Sequence, residues 1–173
     1  LGGREGEDNT AKKVKAESDD LTGDQFEAWN LELGARLGSV HLMAEYFDGE
    51  ITGAGSTPDL SADGYYFQAG WIVTGEQRRY KNSTASFGKI KPESDNGAWE
   101  LFARYDVLDV TASDTHGSVD ITGGRGDTLT FGVNWYISEA VKAALNYVHA
   151  EIDEPKSGED EGDALVARLQ LVY

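Results

Sequence analysis

The chain has 173 residues, room for one domain of ordinary size, and 15 Lys and Arg against 31 Asp and Glu give it a formal net charge of −16. That balance excludes nucleic acid held by bulk charge, because a phosphate backbone needs a basic surface. Cysteine is absent, so disulfides and thiolate metal sites are excluded. The three His (His41, His116, His149) show no metal-ligand spacing such as HExxH. No apolar run reaches the roughly 18 residues of a membrane helix. A polar chain with 21 Gly, 3 Pro, 4 Trp, 8 Tyr and 6 Phe is either a soluble β protein or an outer-membrane β-barrel. It starts at Leu1, without Met or a basic-then-apolar leader, and reads as a processed or excised piece.

Residues 1–25 hold seven acids and four bases with no hydrophobic period, and read as a loop or tail. Strict alternation then begins, and residues 26–173 read as one β unit. Apolar residues fall at every second position in Trp29–Leu37, Val40–Tyr46, Tyr65–Val73, Trp99–Val107, Leu129–Ile137, Val141–Tyr147 and Leu165–Tyr173. A two-residue period means a strand with one apolar and one polar face. The seven strands are roughly ten residues each, the length that spans a bilayer when tilted. Trp29, Tyr46, Tyr65, Trp99, Tyr147 and Tyr173 sit on the apolar face near strand ends, as an interfacial girdle requires. Trp71 and Phe131 are expected further in.

Short links at 37–40 and 137–140 alternate with long polar ones at 48–63, 109–127 and 151–163, as the turns and outer loops of such barrels do. The exception is 75–97, a long segment where parity places a periplasmic turn. Seven strands cannot close an even-stranded barrel, and a free edge in lipid is costly. The chain therefore reads as all-β, part of a larger transmembrane antiparallel barrel.

Three pieces, GWIVTGEQRRY (70–80), FGKIKP (87–92) and GAWELFARYDVLD (97–109), resemble the phosphate-selective porins, the O and P family of Gram-negative outer membranes. GDTLTFGVNWYISEAVKAALNYVHAEID (126–153) and the terminal GDALVARLQLVY (162–173) are similar to that family's last strands. The resemblance covers about residues 60–173. It implies a homotrimer of barrels with about sixteen strands, here the last seven or so. Each barrel would carry its own anion-conducting pore, with inward-folded loops that include a long periplasmic turn. Much of the family's constriction and arginine ladder would lie in the earlier half of the barrel.

The expected function is a passive channel for small hydrophilic anions such as phosphate or polyphosphate, with no catalysis, no cofactor and no metal. Outer-membrane lipid and lipopolysaccharide are the expected surroundings. The candidate anion path is Arg78, Arg79, Lys81, Lys89 and Lys91, a local charge of +3 between Glu76 and Glu93, together with Arg104 and Arg168 on the lumen face. The bland alternatives are a basic turn at the periplasmic rim and cross-strand ion pairs in the wall. His41 reads as a neutral wall residue. The acids of 151–163 read as a solvated loop, which could also bind divalent cations, and neither Arg125-Gly126-Asp127 nor the sequon at 82–84 carries weight. Two rival functions stand: a general porin without anion selectivity, suggested by the acidity, and a soluble β-sandwich that binds carbohydrate through Trp and Tyr.

Overall fold

The computed structural model of the chain describes residues 23–53, 59–81, 86–112, 123–154 and 158–171. Its strands are β1 (Gly23–Leu37), β2 (Val40–Gly53), β3 (Leu60–Ile72), β4 (Tyr80–Lys81), β5 (Ser86–Phe87), β6 (Ala98–Ala112), β7 (Gly124–Tyr136), β8 (Val141–Glu154) and β9 (Gly158–Leu171). The seven long strands form one antiparallel sheet in the order β1-β2-β3-β6-β7-β8-β9, and β4 pairs with β5 as a separate ribbon. No helix is present among the described residues. The all-β reading and its seven strands stand as expected. β1 and β9 are the two edges, as in part of a larger barrel.

Register follows the period read in the sequence. Leu33 pairs with Ala44, Ala69 with Ala103, and Leu145 with Ala167, so apolar residues share one face across the sheet. On that face Leu101, Leu145 and Leu169 are 44%, 48% and 69% exposed. Leucines this open on one face of one sheet are what a lipid-facing wall requires and what a sandwich core forbids.

The strands are longer than the hydropathy pattern suggested. β1 begins at Gly23, and β8 and β9 run on to Glu154 and from Gly158. Alternation of polarity stops where the apolar band ends, but the backbone ladder continues above it. Most acids of 151–163 are therefore strand residues rather than a loop, with Glu151 opposite Glu161 and Asp153 opposite Glu159. Trp71, expected deep in its strand, is next to the end of β3 and pairs with Val40 and Leu101, so it joins the girdle. Trp99 and Trp135 stack at the same end of the sheet, their ring centres 5.2 Å apart. Residues 1–22, most of the expected tail, and 172–173, which include Tyr173, lie outside the described residues, as do His116 and the sequon at 82–84. Arg125 and Asp127 of the tripeptide lie in β7, hydrogen-bonded to each other.

The connection from Val73 to Gly97 determines the interior. It leaves β3 and returns to β6, its hydrogen-bonded neighbour, and Val73 N donates to Trp99 O at 2.8 Å to close its base. Gly97 makes the return possible. It has φ +78°, and a β-carbon there would stand 2.5 Å from the Tyr136 carbonyl oxygen. Between these ends the described residues of the connection lie on the polar, inner face of the sheet. Tyr80 and Phe87 of the β4–β5 ribbon stack edge to face at 5.2 Å and cover Gly34. Gln77 Oε1 accepts a 2.9 Å hydrogen bond from Arg36 Nη1. Ile90 is buried with Ile72, Ala98 and Tyr136, the apolar core of the described chain.

Candidate functional site

Side chains at alternate positions of β3, β6, β7, β8 and β9 converge on the inner face with the inward-folded connection. They line a concavity of about 200 Å³ that includes Gln68, Arg78, Lys142, Asn146, Arg168 and Gln170, with Glu100 among its walls. Pairing fixes their positions: Lys142 stands opposite Gln170, and Ala144 opposite Arg168. Three cations thus meet one carboxylate. Neither Lys142 nor Arg168 forms an ion pair among the described residues, and Lys142 Nζ lies 5.1 Å above the Tyr136 ring. Low-dielectric walls strengthen such charges relative to an open surface.

Arg78 reaches the wall itself. Its Nη2 lies 3.5 Å from Glu100 Oε1 and donates to Tyr136 OH at 2.9 Å. Glu100 is 1% exposed. Its Oε2 accepts hydrogen bonds from Asn134 Nδ2 at 2.7 Å and Tyr136 OH at 2.6 Å. His41 Nε2 stands 3.1 Å from Oε1, although neither ring nitrogen makes an aligned hydrogen bond. The His41 ring lies under the connection, 5.6 Å from the Phe87 ring, so it is a buried wall residue.

A second carboxylate shapes the base of the connection. Glu76 accepts hydrogen bonds from the Thr74 hydroxyl and from Glu93 N at 3.2 Å. Thr74 Oγ1 in turn accepts from Trp99 N at 3.1 Å. Burial raises the Glu76 carboxyl, but the bonds from Thr74, its own amide and Glu93 outweigh it and hold the group below the ordinary carboxylate range.

The remaining bases divide into distinct environments. Arg79 and Lys89 are exposed on the connection. Lys81 lies in β4. Lys91 is exposed at the rim and pairs with Glu139 of the β7–β8 turn at 3.0 Å. Arg104 is set apart from the concavity. Its Nε bonds Asp106 Oδ1 at 2.7 Å and its guanidinium lies 3.7 Å over the Tyr66 ring, so its charge is matched within the wall. The structure thus brings Arg78 and Arg168 together and leaves the other candidates apart.

Sequence reasoning missed the Glu100–His41–Tyr136–Asn134 network and Lys142's place in the concavity. The available signal was three glycines on the inner face. Gly64, Gly70 and Gly132 leave room for the rings of Phe47, His41 and Phe102. On the outer face, His149, Glu151 and Glu161 bring ligand-capable atoms within 4.8 Å of one another, with His149 Nδ1 2.9 Å from Asp163 Oδ1.

The chain matches the sequence pattern of "Phosphate-selective porin O and P" over residues 2–173. It is 39% identical over 153 residues to Porin O of Pseudomonas aeruginosa, which covers 84% of this chain. The chain spans 35% of that relative's length.

Proposed function

Because the chain belongs to the phosphate-selective porin O and P family, we propose that the protein containing it is a passive outer-membrane channel. It admits small hydrophilic anions, phosphate among them, to the periplasm. The similar Porin O, of whose length this chain spans 35%, is by its name a porin, which supports a channel here. The observation that carries it is the inward-folded basic connection, which meets Lys142 and Arg168 to form a cationic concavity in a chain of net charge −16. Positive charge lining a narrow, low-dielectric bore raises local anion concentration and lowers the barrier to entry.

In this reading residues 26–173 supply the last seven strands of the barrel, and the protein is a homotrimer set in lipid and lipopolysaccharide. Anions move past Arg168 and Lys142 to the exposed Arg79 and Lys89, with Lys81 of β4 further along the connection. Arg78 shapes the passage. Arg104 and Lys91 contribute less, because each faces a carboxylate at hydrogen-bond distance.

The test is the reversal potential of the full-length protein in a planar bilayer under a KCl gradient, with phosphate added as a blocker of chloride current. Anion preference with phosphate block supports the reading. A specific observation favours a second one: inner-face acids such as Glu32 and Glu45 gather around Asn30, whose Nδ2 lies 3.1 Å and 3.4 Å from them. A general porin would give a reversal potential near zero and no phosphate block.

A further inference from the structure

We infer that Glu100 is the positioning residue that holds the inward-folded connection in the bore, with Arg78 as its counterpart. The wall supplies one buried carboxylate, and the connection supplies one cation that reaches it. The contact is three-cornered: Arg78 Nη2 lies against Glu100 Oε1 and donates to Tyr136 OH, and Tyr136 OH donates to Glu100 Oε2. Asn134 and His41 complete the surroundings from β7 and β2. Three separate parts of the chain therefore meet at one carboxylate of β6.

An acid in this position is poorly explained by permeation. It opposes the positive potential that draws anions, and although it stands in the wall of the concavity it is only 1% exposed. A charge this buried persists only when paired and hydrogen-bonded. The other contacts are internal to the connection, exposed, or made by its uncharged side chains. Glu76 binds Thr74 and Glu93, which are members of the connection itself, and so sets its internal shape. The Lys91–Glu139 pair is exposed at the rim, where such pairs contribute little. Apolar docking rests on Ile90, the Phe87–His41 contact and the cover of Gly34 by Tyr80 and Phe87, and an exposed hydrogen bond joins Gln77 to Arg36 of β1. The contact at Glu100 is the one that sets a buried charge of the wall against a charge of the connection. This role is independent of which ion the channel prefers, so it stands or falls separately from anion selectivity.

Tryptic cutting after Arg79 reports the state of the connection, because a seated segment is held rigid and a released one can open to fit the protease. The experiment uses the full-length protein in detergent, with Glu100→Gln removing the wall charge and Arg78→Met removing the partner from the connection. Each variant should be cut about tenfold faster than the parent, the order expected for loss of one charge-assisted hydrogen bond. Each should also show flickering open-channel current. The double variant Arg78→Met/Glu100→Gln should be cut about as fast as either single one, since all three lose the same contact. If Glu100→Gln fails to assemble, Arg78→Met decides alone. Parental cutting and quiet current in Arg78→Met overturn the inference. So does a lower heat-dissociation temperature without faster cutting, which marks mere stabilisation. A double variant cut about a hundredfold faster than the parent, the product of two independent tenfold effects, overturns the pairing.

Discussion

The imidazole of His41 occupies the space that Gly70, its cross-strand partner, leaves empty: a β-carbon at Gly70 would lie 2.3 Å from His41 Cε1 and 3.2 Å from Glu100 Oε1. One missing methyl group therefore lets a ring lie across the wall, beneath Phe87 and beside the buried carboxylate.

Gly70→Ala should destabilise the barrel by about 1–3 kcal/mol, the usual cost of overpacking. Gly126→Ala, with nothing within 4 Å of the added carbon, is the control and should be close to neutral. The temperature at which the protein loses its compact gel mobility compares the two. Equal temperatures for both variants would remove the glycine argument.

Neutralising Lys142 and Arg168 together to Gln should lower the anion-to-cation permeability ratio by about threefold or more, since both charges line one confined space. Arg104→Gln should move it much less, because Asp106 already matches that charge. Reversal potentials in a KCl gradient read both, and an equal effect of the two changes would count against the assigned path.

The carboxyl of Glu76 lies below its ordinary value of 4.5 in the folded chain. A depressed carboxyl contributes stability that is fully present above its unfolded value and is lost as pH falls through the folded one. Open-channel noise from a loosened connection should therefore grow as pH is lowered below about 4.5. Glu76→Gln should be noisier already at neutral pH and flatter below it. A parental pH profile in that variant would show that another group controls the effect.

Cysteines at Leu101 and Leu169 carrying a spin label should be quenched by a lipid-soluble agent, and those at Asn146 and Arg168 by a water-soluble one. Register ties these positions together, and a slip of one residue would invert every assignment. Water-soluble quenching at 101 and 169 would contradict the membrane-spanning wall.

The strands were legible because lipid on one side and water on the other impose a two-residue period on composition. Their ends were not, since above the apolar band both faces are wet and polarity no longer alternates, as in 151–163. The connection was legible by length and charge, but not by path. Arg78 and Arg168 could be named from the sequence. Glu100 could not be given its role, because by alternation a buried acid on the inner wall looks the same as a solvated one. Only the fold shows that Tyr136, Asn134 and the Arg78 guanidinium converge on it.

The connection between β3 and β6 begins and ends at adjacent backbone positions, joined by the Val73–Trp99 hydrogen bond, while the strands on either side remain in continuous register. It is in effect an insert in a hairpin. Its sequence can diversify, lengthen or be exchanged between relatives without disturbing a single rung of the ladder. A barrel built this way can evolve a new permeability filter while its membrane scaffold stays fixed, and a designer can graft one in the same manner.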